Sequence, residues 1–538
     1  MVAIKVSDTP GAVKVLSNGG PFNYADLTDG DLAKTSELKY QNGNQDSWIS
    51  YEFDEPKTVY GVTLVGSSGG GRGFGRGAAG SAPVLESSND GKTFTKVADL
   101  SGAANGVIDV AFPAVTAKAF RVVYKKPAPQ PATNMPGGFG GMFPGMGAQP
   151  APRGVPVAEF KLHLTPRVNS FIAKAGFATN PDLYALPTPA ADGVAEADVI
   201  DLTSKMNSDG SLSWDAPAGN WKILRFGYSL TGHQNSPASP EATGLEVDKL
   251  DKEAVTDYFN KYLDMYKDAT GGLMGEKGLS YVITDSWEAG QLNWTGKMFD
   301  EFSNRAGYDL HKWLPALAGY VVESAEKTDK FLWDYRKVIG DLTVENHYDA
   351  LTDILASRGM ARYTESHENS RAFVADGMMV KRNAAVPMSA MWTTGLGANG
   401  ADIRESSSVS HIYGQKFVAA ESLTAGGNAW SYAPEDLKPT ADMEMASGLN
   451  RFVIHESAHQ PLDSYKPGLT LGPFGQWFNR HETWAEQAGP WISYLAKSSY
   501  MLSQGSPVVD ILYYYGEDSN ITGLYGNQIG RASCRERV

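Results

Sequence analysis

The sequence predicts a multidomain chain, an N-terminal β-sandwich followed by a (β/α) barrel, and three observations carry that prediction. The 538 residues exceed what one ordinary hydrophobic core organises. Up to about residue 165 the apolar residues alternate with a period of two, as half-buried strands require. Beyond that point short apolar runs alternate with amphipathic helical stretches, the βαβα order of a parallel sheet.

Taken in order, "SWISYEFDEP" places Ile49, Tyr51 and Phe53 on one face of a strand. "AFRVVYKK" repeats the pattern through Phe120, Val122 and Tyr124, and turn clusters such as "SNDGKT" (88–93) separate the runs. Two stretches rich in Gly and Pro, 66–83 and 127–154, bury too little surface to order themselves and read as mobile loops between strands. Their Gly-x-Gly patterns are no phosphate loops, because no helix follows. "VPVAEFKLHL" closes the sandwich, which is expected to span 1–165.

Residues 166–528 are expected to hold the barrel. "LSWDAPAGNWKILRFGYS" reads as two strands joined by a turn. "LDKEAVTDYFNKYLDMYKDA" reads as a helix capped by Asp251, with Ala254, Tyr258, Tyr262 and Tyr266 on one face. Strands follow in "GLSYVITD", "MARYTES", "AAVPMSAMW", "QKFVAAES", "LNRFVIHES" and "VVDILYYYG". Helices intervene, among them "ESSSVSHIYG", "EDLKPTADMEMASG" and a long one over 477–505. No Gly-rich nucleotide fingerprint follows any strand, which favours a barrel over an open doubly wound sheet.

Composition bounds the function. A net charge of −14 disfavours nucleic acid and anionic membranes as partners, since both attract basic patches. No run of about 18 apolar residues crosses a membrane. The aromatic content of 11% serves mostly as core, with flat faces to spare for sugar rings. The single cysteine, Cys534, falls in "IGRASCRERV" (529–538), a basic segment that resembles a translated sequencing adapter. It is expected to be non-biological, and both ends of the chain are expected to be cut.

In a barrel the chemistry collects at the C-terminal ends of the strands. Asp285, Trp287 and Glu288 follow one strand, and Glu365, His367 and Glu368 another. Trp392 ends a third, Glu421 a fourth, and His455, Glu456 and His459 a fifth. Any one of these carboxylates suits a helix N-cap equally well, but acids recurring at separate strand ends suit a glycosidase. An indole at Trp287 would desolvate Glu288 and fit it for general acid, while Glu421 would be the ionised partner. Asp285, Trp287, Glu365, His367, Trp392, His455 and His459 are the candidate substrate contacts. Glu246 and Asp248 either orient substrate or metal or merely precede a helix; His411 and His481 read as structural. No His/Cys spacing marks a zinc site and no G-x-S-x-G elbow a serine hydrolase.

The run "DGDLAKTSELKY", "SWISYEFDEPKTVYGVTLV", "VLESSNDGKTFTKVA" and "FRVVY" resembles discoidin-like (F5/8 type C, galactose-binding-like) modules. "TDSWEAGQLNWT", "RAGYDLHKWLPALAG", "SHIYGQKFVAAESLT" and "GLNRFVIHESAHQP", with neighbouring motifs over about 200–515, together resemble glycoside hydrolase family 106, the α-L-rhamnosidases. The resemblance implies a TIM-like barrel interrupted by a β-sandwich insertion, so that only the later part of the barrel lies here. It implies an inverting mechanism with Glu288 as acid and Glu421 as base, a calcium ion with its ligands unassigned, and a rhamnose-containing glycan as substrate, met in the periplasm or outside the cell. Where the family pattern expects an acid in "VPMSAMW", this chain has Ala390; either Glu365 serves instead or a ligand is missing. A non-catalytic carbohydrate-binding protein and a retaining glycosidase are the alternatives.

Overall fold

In the computed structural model the described residues are 1–6, 10–41, 45–66, 82–102, 106–126, 153–180, 183, 186–235, 238–366, 374–393, 401–426, 430–466, 468–470, 474–512 and 514. Most of both Gly/Pro-rich loops, His367, Glu368, the end of "VVDILYYYG" and the segment 529–538 lie outside them. The chain divides into two compact units.

The first unit takes the described residues of Met1–Thr133, Gly147–Ser229 and Lys297–Val338. Its seven-stranded sheet runs β3 (Ser36–Lys39), β8 (Gly154–His163), β4 (Ser47–Gly66), β7 (Val107–Tyr124), β5 (Val84–Ser88) and β6 (Thr95–Asp99), with β2 (Val13–Ser17) also on β4. β4 and β7 are 20 and 18 residues long, too long for one flat layer. The N-terminal half of β4 pairs with β2 and with Ala119–Tyr124, while its C-terminal half pairs with β8 and with Val107–Ala111. The register slips between Glu52 and Lys57, where Asp54, Glu55 and Pro56 are exposed, so the strand turns a corner from one layer to the other. Between the layers the Tyr51 and Phe160 rings stack at 4.4 Å, and the Tyr51 hydroxyl donates to the Phe160 carbonyl at 2.6 Å.

The sandwich is therefore as the alternation predicts, but its unit is larger than residues 1–165. Val2–Lys5 (β1) leaves the sandwich to pair with β9 (Val199–Asp201) and β10 (Trp221–Leu224), burying Val2, Ala3 and Ile4 completely. Of the two strands expected around residues 212–228 only β10 forms.

The second unit takes the described residues of Leu230–Gly296 and Ile339–Val538. Five parallel strands lie in chain order, β11 (Tyr281–Thr284), β12 (Ala361–Thr364), β13 (Val386–Trp392), β14 (Ala419–Thr424) and β15 (Arg451–Ile454). Among the described residues β11 and β15 are each paired on one side. As an edge, β11 exposes 46% of Tyr281 and 50% of Ile283, so the strand expected to be buried is half in solvent. Helices α1 (Lys252–Ala269), α2 (Ala350–Ser357), α3 (Gly377–Lys381), α4 (Ala401–Tyr413), α5 (Pro434–Ala446) and α6 (Gly489–Leu502) accompany the sheet. Asp251 caps α1 by accepting from the Glu253 N–H at 2.9 Å, as the sequence predicts. Its buried residues, however, are Val255 and Leu263, and Leu263, with Phe259 and Tyr262 beside it, packs with Leu351 and Leu355 of α2. The tyrosine ridge of Tyr258 and Tyr266 is exposed.

The long helix expected over 477–505 is only α6. The segment before it spends its backbone on the sheet: Gly475 N–H donates to Ala425, Gln476 N–H to His455 and Phe478 N–H to Glu456. Further along it closes i to i−3 turns, Glu482 N–H to Asn479, Ala485 N–H to Glu482 and Gln487 N–H to Trp484, in place of an i to i−4 ladder.

Candidate functional site

The C-terminal ends of β11 and β12 and the middle of β14 bring Asp285, Glu365 and Glu421 together, one oxygen of each within 4.8 Å of the others. The local sequence explains how. β11 and β12 pair Thr284 with Thr364, so the residues that follow leave the sheet side by side. The Glu365 N–H donates to the Thr284 carbonyl at 3.0 Å and the Trp287 N–H to the Ser366 carbonyl at 2.9 Å. The Ser286 hydroxyl donates to Glu365 Oε2 at 2.7 Å. Two loops that looked independent in sequence are zipped into one.

Glu421 reaches the group from within β14 and not from its end. Ala390 is its register partner on β13, so a methyl group occupies the position beside it on the same face of the sheet. The Thr424 hydroxyl donates to Glu421 Oε1 at 2.8 Å, and His455 Nδ1 lies 3.2 Å from that hydroxyl and 3.6 Å from Oε1. Thr424 thus sets the roll of the carboxylate. Glu365 is buried at 2% exposure, Glu421 is half-buried and Asp285 exposed, which grades the site from interior to solvent.

A buried network supports the Glu365 loop. The Ser366 hydroxyl donates to Glu405 Oε1 at 3.0 Å, and Lys381 Nζ pairs with the same oxygen at 2.8 Å and donates to Ser406 at 2.9 Å. Lys381 and Glu405 have side chains 1% and 3% exposed. Gly377 leaves the room this requires, because a Cβ there would stand 2.5 Å from Glu405 Oε1.

Trp287 is corrected by the structure. Its indole is buried among Val344, Tyr348 and Val380 and donates to the Gly290 carbonyl at 2.7 Å, while Glu288 beside it is exposed. Adjacent residues on an extended loop point opposite ways, so the indole that was to desolvate Glu288 anchors the loop in the core instead. Trp392 makes an edge contact with Phe474 at 5.5 Å. His459 is exposed, in a backbone bridge with Leu469. Asp248 accepts from the Leu250 N–H and from Thr295 at 3.0 and 2.8 Å, and Glu246 pairs with Lys249, so both hold the turn before α1.

Sequence reasoning missed Ser286, Thr424, Lys381, Glu405 and Glu444. Glu444 on α5 had a signal: Leu437, Ala441 and Glu444 recur at helical spacing and all three are buried, so an acid stands on an apolar face. Burial pushes its carboxyl up to about 8, with the Ser422 hydroxyl and Leu423 N–H opposing, directly behind the strand that carries Glu421.

Comparison with known proteins places this arrangement. A family model described as alpha-L-rhamnosidase, glycoside hydrolase family 106, matches residues 21–534. The chain belongs to that family. A solved rhamnosidase from Novosphingobium sp. PP1Y superposes with a TM-score of 0.82 at 38% identity, over 96% of this chain and 47% of that one. A curated protein of Formosa agariphila, provisionally named a beta-glucuronidase, is 37% identical over 344 residues, 64% of this chain and 29% of its own length. The chain thus spans about half of the solved relative and under a third of the curated one. For a member of family 106, the carboxylates gathered at the strand ends are the natural place to look for glycosidase chemistry.

Proposed function

We propose that the protein hydrolyses terminal α-L-rhamnosyl linkages of a glycan by inversion, and the convergence of Asp285, Glu365 and Glu421 carries this reading. Five parallel strands in chain order without reversal support taking the sheet as the later part of a TIM-like barrel, whose carboxyl ends hold the site. Glu421, its roll set by Thr424, is the general base that draws a proton from water. Glu288, exposed on the loop three residues beyond Asp285, is the general acid that protonates the leaving oxygen. The substrate class implies a place outside the cytoplasm. No helix among the described residues is long and apolar enough to cross a membrane.

The three carboxylates are hard oxygen donors and suit a calcium ion. Asp285, Glu365 and Glu421 would hold it, and calcium bound there would offset their mutual repulsion and orient sugar hydroxyls. Calcium is expected to raise the unfolding temperature by mass action, and a chelator to reverse the rise. Asp285→Asn and Glu365→Gln should abolish that shift. An unfolding temperature indifferent to calcium and chelator would sink the assignment.

The direct test is release of sugar from an aryl α-L-rhamnoside, with the anomer of the fresh product read by NMR. Glu421→Gln is expected to lower turnover at least ~100-fold, the worth of a positioned acid or base, and Glu288→Gln likewise on substrates with poor leaving groups. Initial release of the β-anomer supports inversion; the α-anomer would establish retention. Binding without turnover by the parent would favour a carbohydrate-binding protein. Release of glucuronic acid from an aryl glucuronide, without rhamnose release, would replace the substrate while leaving the carboxylates in place.

A further inference from the structure

Glu421 and Thr424 are three positions apart on β14, and in a regular strand residues at that spacing point to opposite faces. The Thr424 hydroxyl nevertheless donates to Glu421 Oε1 at 2.8 Å. The break in the strand lies between them. Ala390 of β13 pairs with Glu421 and Trp392 with Thr424, so two steps along β13 are matched by three along β14. β14 therefore carries one extra residue, a β-bulge. Leu423 sits there at φ +64°, the left-handed region that a leucine seldom adopts.

The bulge exchanges the two faces of the strand. Without it Leu423 would share the face of Glu421, and Thr424 would turn away with Ser422. With it, Leu423 packs with Leu437 and Ala441 of α5 and with Trp491 and Leu495 of α6, on the side where the Ser422 hydroxyl stands beside Glu444 of α5. Two consecutive residues thus face the helices, and Thr424 is delivered to the carboxylate and to His455 Nδ1, 3.2 Å from its hydroxyl. The conformation is held at the backbone. The Gln476 side chain, buried at 5% exposure, donates from Nε2 to the Leu423 carbonyl at 2.8 Å, and the Leu423 N–H stands beside the Glu444 carboxyl. Gln476 is fixed in turn, its own N–H donating to the His455 carbonyl at 3.0 Å. A strained residue persists only where its surroundings over-determine it, and such residues cluster at functional sites.

We infer that Leu423 and Gln476 are positioning residues for the reaction: the bulge at Leu423, held by Gln476, carries Thr424 onto Glu421 and so aims its carboxylate. This role rests on Glu421 being the general base. Neither residue touches the substrate; both act through the Thr424 hydroxyl.

Leu423→Ile and Leu423→Met separate backbone conformation from packing. Both nearly conserve the side-chain volume, but only isoleucine is branched at Cβ and resists a positive φ. On an aryl glycoside that the protein hydrolyses, kcat is expected to be about tenfold lower in Leu423→Ile than in Leu423→Met, with KM within about twofold, the loss of one hydrogen bond to a catalytic group. Thr424→Val and Gln476→Met should each lower kcat to a similar extent, and the double variant no further, because both act through one bond. Crystal structures give a readout that needs no turnover: in Leu423→Ile the Thr424 hydroxyl should lie beyond hydrogen-bonding distance of Glu421. Equal kcat in the Ile and Met variants overturns the inference. So do additive losses in Thr424→Val with Gln476→Met, or a Thr424–Glu421 bond that survives in Leu423→Ile. If Leu423→Ile does not fold, the Thr424 and Gln476 variants decide alone. Full turnover in Glu421→Gln would remove Glu421 as the base while the crystal structures still report on the bulge, so the two readings fail separately.

Discussion

Glu444 shows how much one side chain can hold in reserve. It is wholly buried, and it stands behind β14 beside the Ser422 hydroxyl and the Leu423 N–H, the residues that follow Glu421. Its folded pKa, about 8, is raised above the ordinary 4.5. The unfolded chain therefore loses this proton before the folded one does, and stability falls as pH climbs from about 4.5 to about 8. The total is a few kcal/mol, at about 1.4 kcal/mol per pKa unit. Glu444→Gln removes the titration, so it should be more stable than the parent at pH 8, with the difference shrinking toward pH 4. Urea unfolding at the two pH values measures this. An equal difference at both would mean that the substitution altered only the fit of the side chain. Trp287 makes the complementary point about legibility. The sequence located it beside two acids, correctly, but a residue's position in the chain does not say which way its side chain turns. Only Val344, Tyr348 and Val380, distant in sequence and adjacent in space, decide that the indole faces the core.

At the scale of elements, period and capping were legible and partners were not. Asp251 could be read as a cap because a cap is a local bond. The strands around the acids could be read because four apolar residues between turn signals suffice. The segment before α6 could not, because its composition is helical while its backbone enters on bonds to Ala425, His455 and Glu456 and continues in i to i−3 turns. Tertiary bonds override propensity there. The pair of Lys381 on α3 and Glu405 on α4 was equally invisible, since two charged residues 24 positions apart normally belong to the surface. Buried pairs are poorly tolerant of half-removal. Lys381→Met is expected to cost about 3–5 kcal/mol by stranding Glu405, and the double change Lys381→Met with Glu405→Leu should recover much of it. Chemical denaturation of the three proteins checks both statements. A loss under 1 kcal/mol in the single variant would show that water reaches the pair. The catalytic effect has its own route: Ser366, which donates to Glu405, adjoins Glu365, so the double variant should remain folded yet lose turnover.

At the scale of the whole molecule, the two-part architecture was legible and its seams were not. The family motifs identified the chain over most of its length, and the match over residues 21–534 agrees with them. The boundary near residue 165 followed the change of periodicity, but compactness follows contacts. The first strand, the segment to Ser229 and Lys297–Val338 all join the sandwich unit. Periodicity cannot show such returns of the chain, because they are made by elements whose own pattern is unremarkable.

The corner at Asp54–Pro56 has a thermodynamic meaning. Since β4 and β7 each run through both layers of the sandwich, neither layer can melt while the other keeps its hydrogen bonds intact. Two layers held only by side chains would open as separate foldons; two that share backbone open together. Deuterium exchange under native conditions should therefore give the amides of Ile49 and Tyr51 the same opening free energy as those of Val62 and Leu64, within about 1 kcal/mol. Clearly separated values would mean that the bend is a hinge at which the strands come apart. Matching values would make the corner the place where one protective event covers both halves.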